Sequence, residues 1–230
     1  MQTVTSKEGT PAHPATRLTR VLLSCGVVAG PLYIIVGMIE MLTRKGFDPT
    51  RHDLSLMSNG DWGWIHISML VLTGLLTIAG AVGMRRVLRG HPGGTWGPAL
   101  LGVYGSGLIG AGFFTADPAL GFPPGTPADA HAVSWHGLLH FVCGGIGFLG
   151  LIAACFVFAR RFAAHRLRGW AAYSVATGVL FFAAFVGIAV GSNNAGPITT
   201  FVILAFTAAV VLGWAWVTAM AARLLKGPDI

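Results

Sequence analysis

Six long apolar segments alternate with polar connectors along the 230-residue chain. A helix that crosses a bilayer needs about 20 mostly apolar residues, and each segment approaches that length. The connector SNNAGP before the last segment suits a tight turn, and Pro197 suits the first turn of the helix that follows. The predicted spans are 21–42, 64–84, 96–116, 135–159, 170–191 and 197–222. The pattern predicts an all-α polytopic membrane protein, a six-transmembrane-helix bundle.

The two ends of the chain are polar. Residues 1–20, which include Pro11 and Pro14, are predicted to form a disordered cytoplasmic tail, and 226–230 a short cytoplasmic tail. Residues 21–225 then form a single six-span domain. The first apolar run is too long for the core of a signal peptide and lacks a convincing cleavage site. We expect it to be retained as the first helix.

Composition supports a membrane as the solvent of this chain. Hydrophobic residues make up 54% of it, charged residues only 10%, and the mean hydropathy is +0.70. Soluble domains carry about 25% charged residues. The net charge of +7 comes from Arg and Lys in the connectors, which is a topology signal and predicts no nucleic-acid partner. Membrane lipids are the expected partners, and the three cysteines, all in apolar segments, are expected to be free.

The basic residues predict the orientation. Twelve of the 15 Lys and Arg residues fall on the side of both termini, and only Arg44, Lys45 and Arg51 fall on the other. Cytoplasmic loops carry the excess of positive charge. We therefore expect a multi-pass protein of the plasma membrane with both termini in the cytoplasm. Trp62, Trp64, Trp96, Trp135 and Trp170 lie near predicted span ends, as an aromatic belt would.

The outer side collects most of the other ionisable residues. Six of eight acids and five of eight histidines lie there, and the outer loops 43–63 and 117–134 are the longest connectors. Long loops between packed elements are frequent places for function. The acids are Glu40, Asp48, Asp53, Asp61, Asp117 and Asp129, and the histidines are His52, His66, His131, His136 and His140.

His136 and His140 are four residues apart in HGLLH, so they share one helix face. Two imidazoles and a carboxylate can hold zinc or another divalent ion and leave a position for water. Asp117 and Glu40 are the candidate carboxylates, so the hypothetical metal ligands are His136, His140, Asp117 and Glu40. The zincin signature is absent, because no Glu follows the first His.

Hydrolytic or transfer chemistry is a further possibility at the same end. His52 and Ser55 lie close together in the first outer loop, and Asp117, His136 and His140 lie at the second. Histidine and carboxylate pairs can act as general acid and base, with a serine as nucleophile. These five residues are the candidate catalytic groups.

Each candidate also has a structural alternative. His140 can be neutral and bonded to a carbonyl of a neighbouring helix, and His136, His66 and His131 can lie at the water interface. Glu40 can pair with Arg44 one turn on, and Asp117 before Pro118 can simply end a helix. Asp53 or Ser55 can cap a short helix within the loop. The sequence alone leaves these alternatives open.

Three motifs resemble a bacterial and archaeal membrane family known only as domain of unknown function 998. They are RHDLSLMSNGDWGW, GAGFFTADP, and the paired histidines at the start of the fourth span. The resemblance covers roughly residues 20–225. It implies a six-span bundle with His52, Ser55, Asp117 and His131 or His136 at matching places, and it implies no settled activity.

The chain shows a looser resemblance to ceramidase-like membrane hydrolases and adiponectin-receptor-like proteins. These combine Ser, His, Asp and an HxxxH pair around zinc in a seven-helix bundle. This chain has six predicted spans, carries HxxxH in the fourth rather than the last, and reads H-x-x-S rather than S-x-x-x-H.

Three kinds of function fit the sequence. The first is a non-catalytic membrane module that binds a lipid, another small apolar ligand or a partner. The second is a membrane-embedded hydrolase or transferase, dependent on a metal or on His and Asp, that acts on a lipid-like substrate. The third is a transporter, although the middles of the spans hold no charges and no paired broken helices, which midplane sites usually need. Whether the chain is an enzyme stays open at this point.

Overall fold

The structure, a computed structural model, describes residues 16–130, 133–191 and 197–227. This part of the chain is all-α, and its only extended pairing is an isolated bridge between Ala119 and Phe122. A 3₁₀ helix, Leu54–Ser58, lies in the first outer loop. The α-helices are α1 Arg17–Thr43, α2 Gly63–Val87, α3 Trp96–Phe113, α4 Trp135–Ala164, α5 Arg168–Gly191 and α6 Pro197–Lys226.

Five of these helices are long and apolar enough to cross a membrane: α1, α2, α4, α5 and α6. The exception is α3, which with 18 residues is the shortest of the six helices. The predicted all-α membrane protein is therefore confirmed in its coarse form, with five qualifying spans rather than six.

The first helix begins earlier than the sequence pattern predicts. It starts at Arg17 rather than 21, because the Thr16 hydroxyl accepts a hydrogen bond from the Thr19 N–H at 3.3 Å. Such an N-cap satisfies one of the unpaired donors of the first turn. The predicted tail thus ends before residue 17. Residues 1–15 and 228–230, where most of the two predicted tails fall, lie outside the described residues.

The helices form a closed ring in chain order. Each packs against the next, and α6 returns to contact α1. Facing glycines on three of these interfaces let the backbones touch. A Cβ on Gly107 of α3 would lie only 2.6 Å from the Gly147 Cα of α4, closer than real side chains come. The glycine pairs are Gly26–Gly80 for α1–α2, Gly74–Gly105 for α2–α3 and Gly107–Gly147 for α3–α4.

Large side chains fill the other half of the ring. Trp214 of α6 is fully buried and packs against Tyr33 of α1 and Tyr104 of α3, with ring centroids 4.9 Å and 5.4 Å away. Phe181 of α5 packs on Phe148 of α4 at 5.2 Å. Aromatic packing of this kind contributes dispersion energy in lipid, where burial alone gives helices little reason to associate.

The outside of the ring carries large apolar side chains. Trp96, Phe113 and Phe201 are each at least 70% exposed. Water would penalise such a surface, whereas lipid does not. Trp62, Trp64 and Trp135 are also exposed near helix ends, which is consistent with the predicted aromatic belt. The exterior therefore supports the membrane assignment that the helix lengths give.

We predict that adding one methyl group at a glycine contact will unfold the ring more readily. Gly107→Ala forces α3 and α4 apart, and overpacking of this kind costs about 1–3 kcal/mol. Gly102→Ala on the same helix is the matched control, because a Cβ at Gly102 meets nothing within 4 Å. Thermal unfolding of the purified chain in detergent measures both. Equal midpoints for the two variants would contradict the close contact of α3 with α4.

Candidate functional site

The two outer loops pack together into one cap over the end of the bundle. Phe122 of the second loop is fully buried between Phe47 and His52 of the first, with ring centroids 5.4 Å and 5.6 Å away. The Arg44 guanidinium lies over the Phe122 ring at 5.6 Å and also donates to the Asn59 carbonyl. The cap therefore holds the first loop and the second loop as one unit.

His52 fastens the two loops to each other. Its Nδ1 accepts a hydrogen bond from the Asp48 N–H at 2.9 Å, so its Nε2 carries the proton and donates to the Leu120 carbonyl at 3.1 Å. Leu120 adopts φ +54°, a left-handed conformation that the surrounding contacts must hold. Both ring nitrogens are engaged in hydrogen bonds within the cap, so His52 joins the two loops, and its catalytic role stays a prediction.

Asp53 and Ser55 form the cap of the 3₁₀ helix. The Asp53 Oδ1 accepts the Ser55 N–H at 3.1 Å and also the Ser55 hydroxyl. The structural alternative for this motif is therefore confirmed, with Asp53 as the capping residue. Nearby, the Thr50 hydroxyl and then the Thr50 N–H donate to Asp48 and lower the pKa of its carboxyl. The sequence HDLS thus shapes the loop locally.

Asp117 holds the start of α4. Its Oδ2 accepts the Ser134 N–H at 2.8 Å, and its Oδ1 accepts the Ser134 hydroxyl at 2.6 Å. The Ser134 oxygen in turn caps the helix by accepting the Gly137 N–H at 3.1 Å. A negative charge at a helix N-terminus is favourable. Gly137 is required because a Cβ there would lie 2.0 Å from Asp117 Oδ2.

His136 lies at the rim beside this carboxylate. Its Nδ1 donates to the Thr115 carbonyl at 3.2 Å and lies 3.8 Å from Asp117 Oδ1. The side chain is 40% exposed. Asp117 and His136, two of the predicted site residues, are therefore brought together, but at the edge of the bundle.

His140 lies one turn deeper and is buried. Its Nδ1 lies 2.9 Å from the Ala111 carbonyl and 2.8 Å from the Phe114 carbonyl, both at the end of α3. Carbonyl oxygens only accept, so this nitrogen carries a proton. The structural alternative for His140, a bond to a neighbouring helix, is confirmed for one of its two nitrogens.

Glu40 forms a separate buried group with Arg44 and His66. Its Oε1 lies 3.3 Å from Arg44 Nη1, and its Oε2 lies 2.8 Å from His66 Nδ1. Glu40 and His66 are both almost fully buried. A buried carboxylate needs such partners to be tolerated. His66 is thus an interior residue, whereas the sequence also allowed it a place at the water interface.

The predicted metal ligands are not assembled into one site. Glu40 is engaged by α1 and α2 residues, whereas Asp117 and His136 lie at the α3–α4 rim. Among residues 16–130, 133–191 and 197–227, no three His, Cys, Asp or Glu side chains converge as a metal site. The reason is geometric: His136 and His140 share a helix face, but each turns its Nδ1 to a different carbonyl of α3. His131 lies outside the described residues.

A cavity of about 480 Å³ lies inside the ring. We call it the central cavity, because every helix contributes to its wall. One residue from each helix, in order, is Tyr33, His66, Tyr104, His140, Phe185 and Phe206. Asp53, Leu54 and Ser55 of the cap also line it. Its volume falls in the range of about 300–1,000 Å³ that is typical of small-molecule sites.

The central cavity has a polar wall and an apolar wall. The polar groups come from the cap and from α1, α2, α3 and the start of α4. The lining residues of α5 and α6 are all apolar, namely Phe185, Ile188, Ala189, Phe206 and Val210. Tyr33 and Tyr104, whose rings pack against Trp214, also line the cavity. Such a cavity is complementary to a molecule with one polar end.

Sequence reasoning missed three lining residues as members of one site: Tyr33, His66 and Tyr104. Glu40 offered a signal for His66, since a carboxylate within an apolar span needs a buried partner. The tyrosines offered none, because a single Tyr in an apolar run reads as ordinary core. Of the predicted catalytic residues, only Ser55 and His140 line the central cavity.

We predict that Asp117→Ala will destabilise the cap. It removes two hydrogen bonds to a charged acceptor, each worth about 1.5–3 kcal/mol when partly buried. Thermal unfolding should therefore begin earlier, and amide hydrogen exchange at the first turn of α4 should accelerate. Asp129→Ala, at an exposed position of the same loop, is the control and should change neither. Slow exchange at Gly137 in Asp117→Ala would argue against the cap.

Comparison with known proteins gives one family. No curated protein and no solved structure is significantly similar to the chain. A family model described as "Protein of unknown function (DUF998)" matches residues 27–223. The matched segment contains every residue that lines the central cavity. The chain therefore belongs to the DUF998 family of proteins of unknown function.

Proposed function

We propose that this protein is a non-catalytic membrane module that binds an amphipathic, lipid-like molecule in the central cavity. The observation that carries the proposal is the division of that cavity into a polar wall and an apolar wall. The polar end of the ligand meets the cap, His66 and His140, and its apolar chain lies against Phe148, Phe185 and Phe206. Most small-molecule sites combine an apolar lining with a few placed polar groups in this way.

The geometry of α4 and α5 supports entry from the bilayer. The two helices are in contact near Cys155, where a Cβ on Gly178 would lie 3.1 Å from Cys155 Cβ. At the cap end, a Cβ on Gly144 would meet nothing within 4 Å, and one on Gly145 would meet only the Phe185 ring, at 3.7 Å. Phe141 and Ala189 line the cavity and are also exposed on the outside of the bundle. An apolar chain can thus reach the cavity between these helices.

Ser55 supports binding over nucleophilic catalysis. An activated serine donates its proton to a histidine or another base. Here the Ser55 hydroxyl donates to the capping oxygen of Asp53, which needs that bond to hold the loop. His140 keeps one nitrogen for the ligand, but no residue within the described ranges pairs it with a serine.

Filling the cavity is the test of this proposal. Gly144→Leu places a side chain in the cavity without a backbone clash, and Gly102→Leu adds the same side chain on α3 where a Cβ also meets nothing within 4 Å. The purified chain and both variants are extracted with solvent, and co-purified lipids and other amphiphiles are quantified by mass spectrometry.

We expect one class of amphiphile to be retained by the native chain and by Gly102→Leu and to fall to background in Gly144→Leu. Equal retention by all three proteins would refute the proposed function. Thermal unfolding of both variants is measured in parallel, and loss of fold in Gly144→Leu is addressed with the smaller change Gly144→Val.

We further propose that α3 crosses the membrane as a sixth span, with both termini cytoplasmic and the cap outside the plasma membrane. The ring supports this, because α3 lies between α2 and α4 along its length, with glycine contacts to both. The excess of Lys and Arg on the side of the termini supports the orientation.

Labelling of single cysteines tests this topology. In a background without Cys25, Cys143 and Cys155, a membrane-impermeant maleimide is applied to intact cells. Asp61→Cys and Asp129→Cys should react, whereas His91→Cys should react only after lysis. All three native residues are exposed, so access to the side chain is equal. Asp129→Cys that stays unlabelled in intact cells while Asp61→Cys reacts would exclude the proposed path of α3, and labelling of His91→Cys in intact cells would contradict the proposed orientation.

A further inference from the structure

We infer that the ligand of the central cavity carries a positively charged, hydrogen-bond-donating head group, a primary ammonium on an alkyl chain. The inference rests on the proposed function and names the chemical class of its ligand. It depends on three features of the polar wall: two histidines with the same proton arrangement, one unpaired carboxylate, and two tyrosine hydroxyls.

Both histidines offer the cavity an acceptor. His140 donates from Nδ1 to the Ala111 and Phe114 carbonyls, and His66 donates from Nδ1 to Glu40. Because Arg44 already balances the Glu40 charge, a neutral His66 satisfies that contact. A neutral imidazole with its proton on Nδ1 has a lone pair on Nε2. Each ring thus presents an acceptor on the side away from its anchor.

Nε2 is the nitrogen that each of these histidines has left for a ligand. His66 is 1% exposed and His140 is 6% exposed, and both line it. No hydrogen bond of the described residues engages either Nε2 atom. Some described side-chain atoms, such as Trp214 Nε1, are fully enclosed and have no hydrogen-bond partner. Neither Nε2 atom is one of these, so each keeps some accessible surface. A buried acceptor without a partner is costly, and a ligand that donates to both nitrogens removes that cost.

Asp53 supplies the charge. Its carboxylate lines the cavity and caps the 3₁₀ helix through one oxygen, Oδ1. Among the described residues, no Lys, Arg or His side chain lies within ion-pair distance of it. Arg44 of the cap bonds to Glu40 and to the Asn59 carbonyl. A carboxylate facing a low-dielectric cavity attracts a cation strongly.

The tyrosines complete a wall that favours a cation. Tyr33 and Tyr104 both line the cavity. Neither of their hydroxyls has a hydrogen-bond partner among the described residues. Hydroxyls can accept from an ammonium, and aromatic faces attract cations. Among the described residues, no Lys or Arg lines the cavity, so no cation among them would balance a carboxylate or phosphate there. An anionic head group would instead be repelled by the Asp53 carboxylate and by the Nε2 lone pairs of His66 and His140.

The depth of the cavity sets the probe. His140 and Phe148 are eight residues apart on α4, which corresponds to about 12 Å along the helix axis. A decyl chain has about this reach. Decylammonium, decanol and decanoate then form a series that differs only in the head group, and an alkylamine is protonated at pH 7 as a Lys side chain is.

The experiment measures binding of this series to the full chain in non-ionic detergent, by native mass spectrometry and by the shift in thermal unfolding. We expect decylammonium to bind about tenfold more tightly than decanol, and decanoate to bind most weakly. Decyltrimethylammonium carries the charge but donates no hydrogen bond, so it should bind less tightly than decylammonium. Asp53→Asn keeps an oxygen for the Ser55 N–H and should abolish the preference, whereas Asp61→Asn, an equal charge change at an exposed position, should keep it.

Two failures can be told apart. In the first, Gly144→Leu weakens the binding of every member of the series, but decanol or decanoate binds the native chain as tightly as decylammonium does. The head-group inference is then wrong and the proposed function stands. If Gly144→Leu changes nothing, the proposed function fails as well. A preference that survives Asp53→Asn, or a quaternary ion that binds as tightly as the primary one, would also overturn the inference. Should Asp53→Asn not fold, the head-group series on the native chain decides alone.

Discussion

The close contact between facing glycines is the constraint on which the rest of this structure depends. In lipid, apolar side chains gain little by meeting one another, so helices associate where their backbones can approach. Glycine pairs provide such contacts from α1 to α4. The ring then closes through α5 and α6 with bulky residues such as Trp214 and Phe181. The central cavity lies between these helices, and each of them contributes to its lining.

The same contact explains the orientation of the histidines. With α3 and α4 in backbone contact at Gly107 and Gly147, the end of α3 presents its unpaired carbonyls to the first turns of α4. His140 takes two of them through Nδ1. Glu40 does the same for His66 across α1 and α2. Residues of α1 and of the end of α3 therefore anchor Nδ1 of both histidines, and both rings line the central cavity.

The sequence predicts the helices of this fold well and their faces poorly. Span length and the polar connectors indicate every helix, with ends that differ mostly by a few residues. The pattern does not predict which face of a helix is buried, because lipid is as apolar as the protein interior. Leu23 is buried and Leu42 is 80% exposed, yet both are apolar residues of α1. The spacing of His136 and His140 correctly predicts one helix face. The spacing does not predict that His136 lies at the rim while His140, one turn on, lines the cavity, because this depends on where α3 ends.

The cap is held together by contacts between the two outer loops and α4. His52 and Phe122 join the outer loops through hydrogen bonds and ring contacts, and Asp117 ties the second loop to α4. These contacts close the end of the bundle with interactions that would have to break together for the cap to open. The contact between α4 and α5 is made by apolar side chains such as Phe148 and Phe185. In the proposed entry between α4 and α5, the apolar chain of the ligand stays in lipid. Its head group moves from the membrane surface to the polar wall of the cavity. The polar residues of the cap thus serve the site chiefly by holding Asp53 and the two helix starts in place.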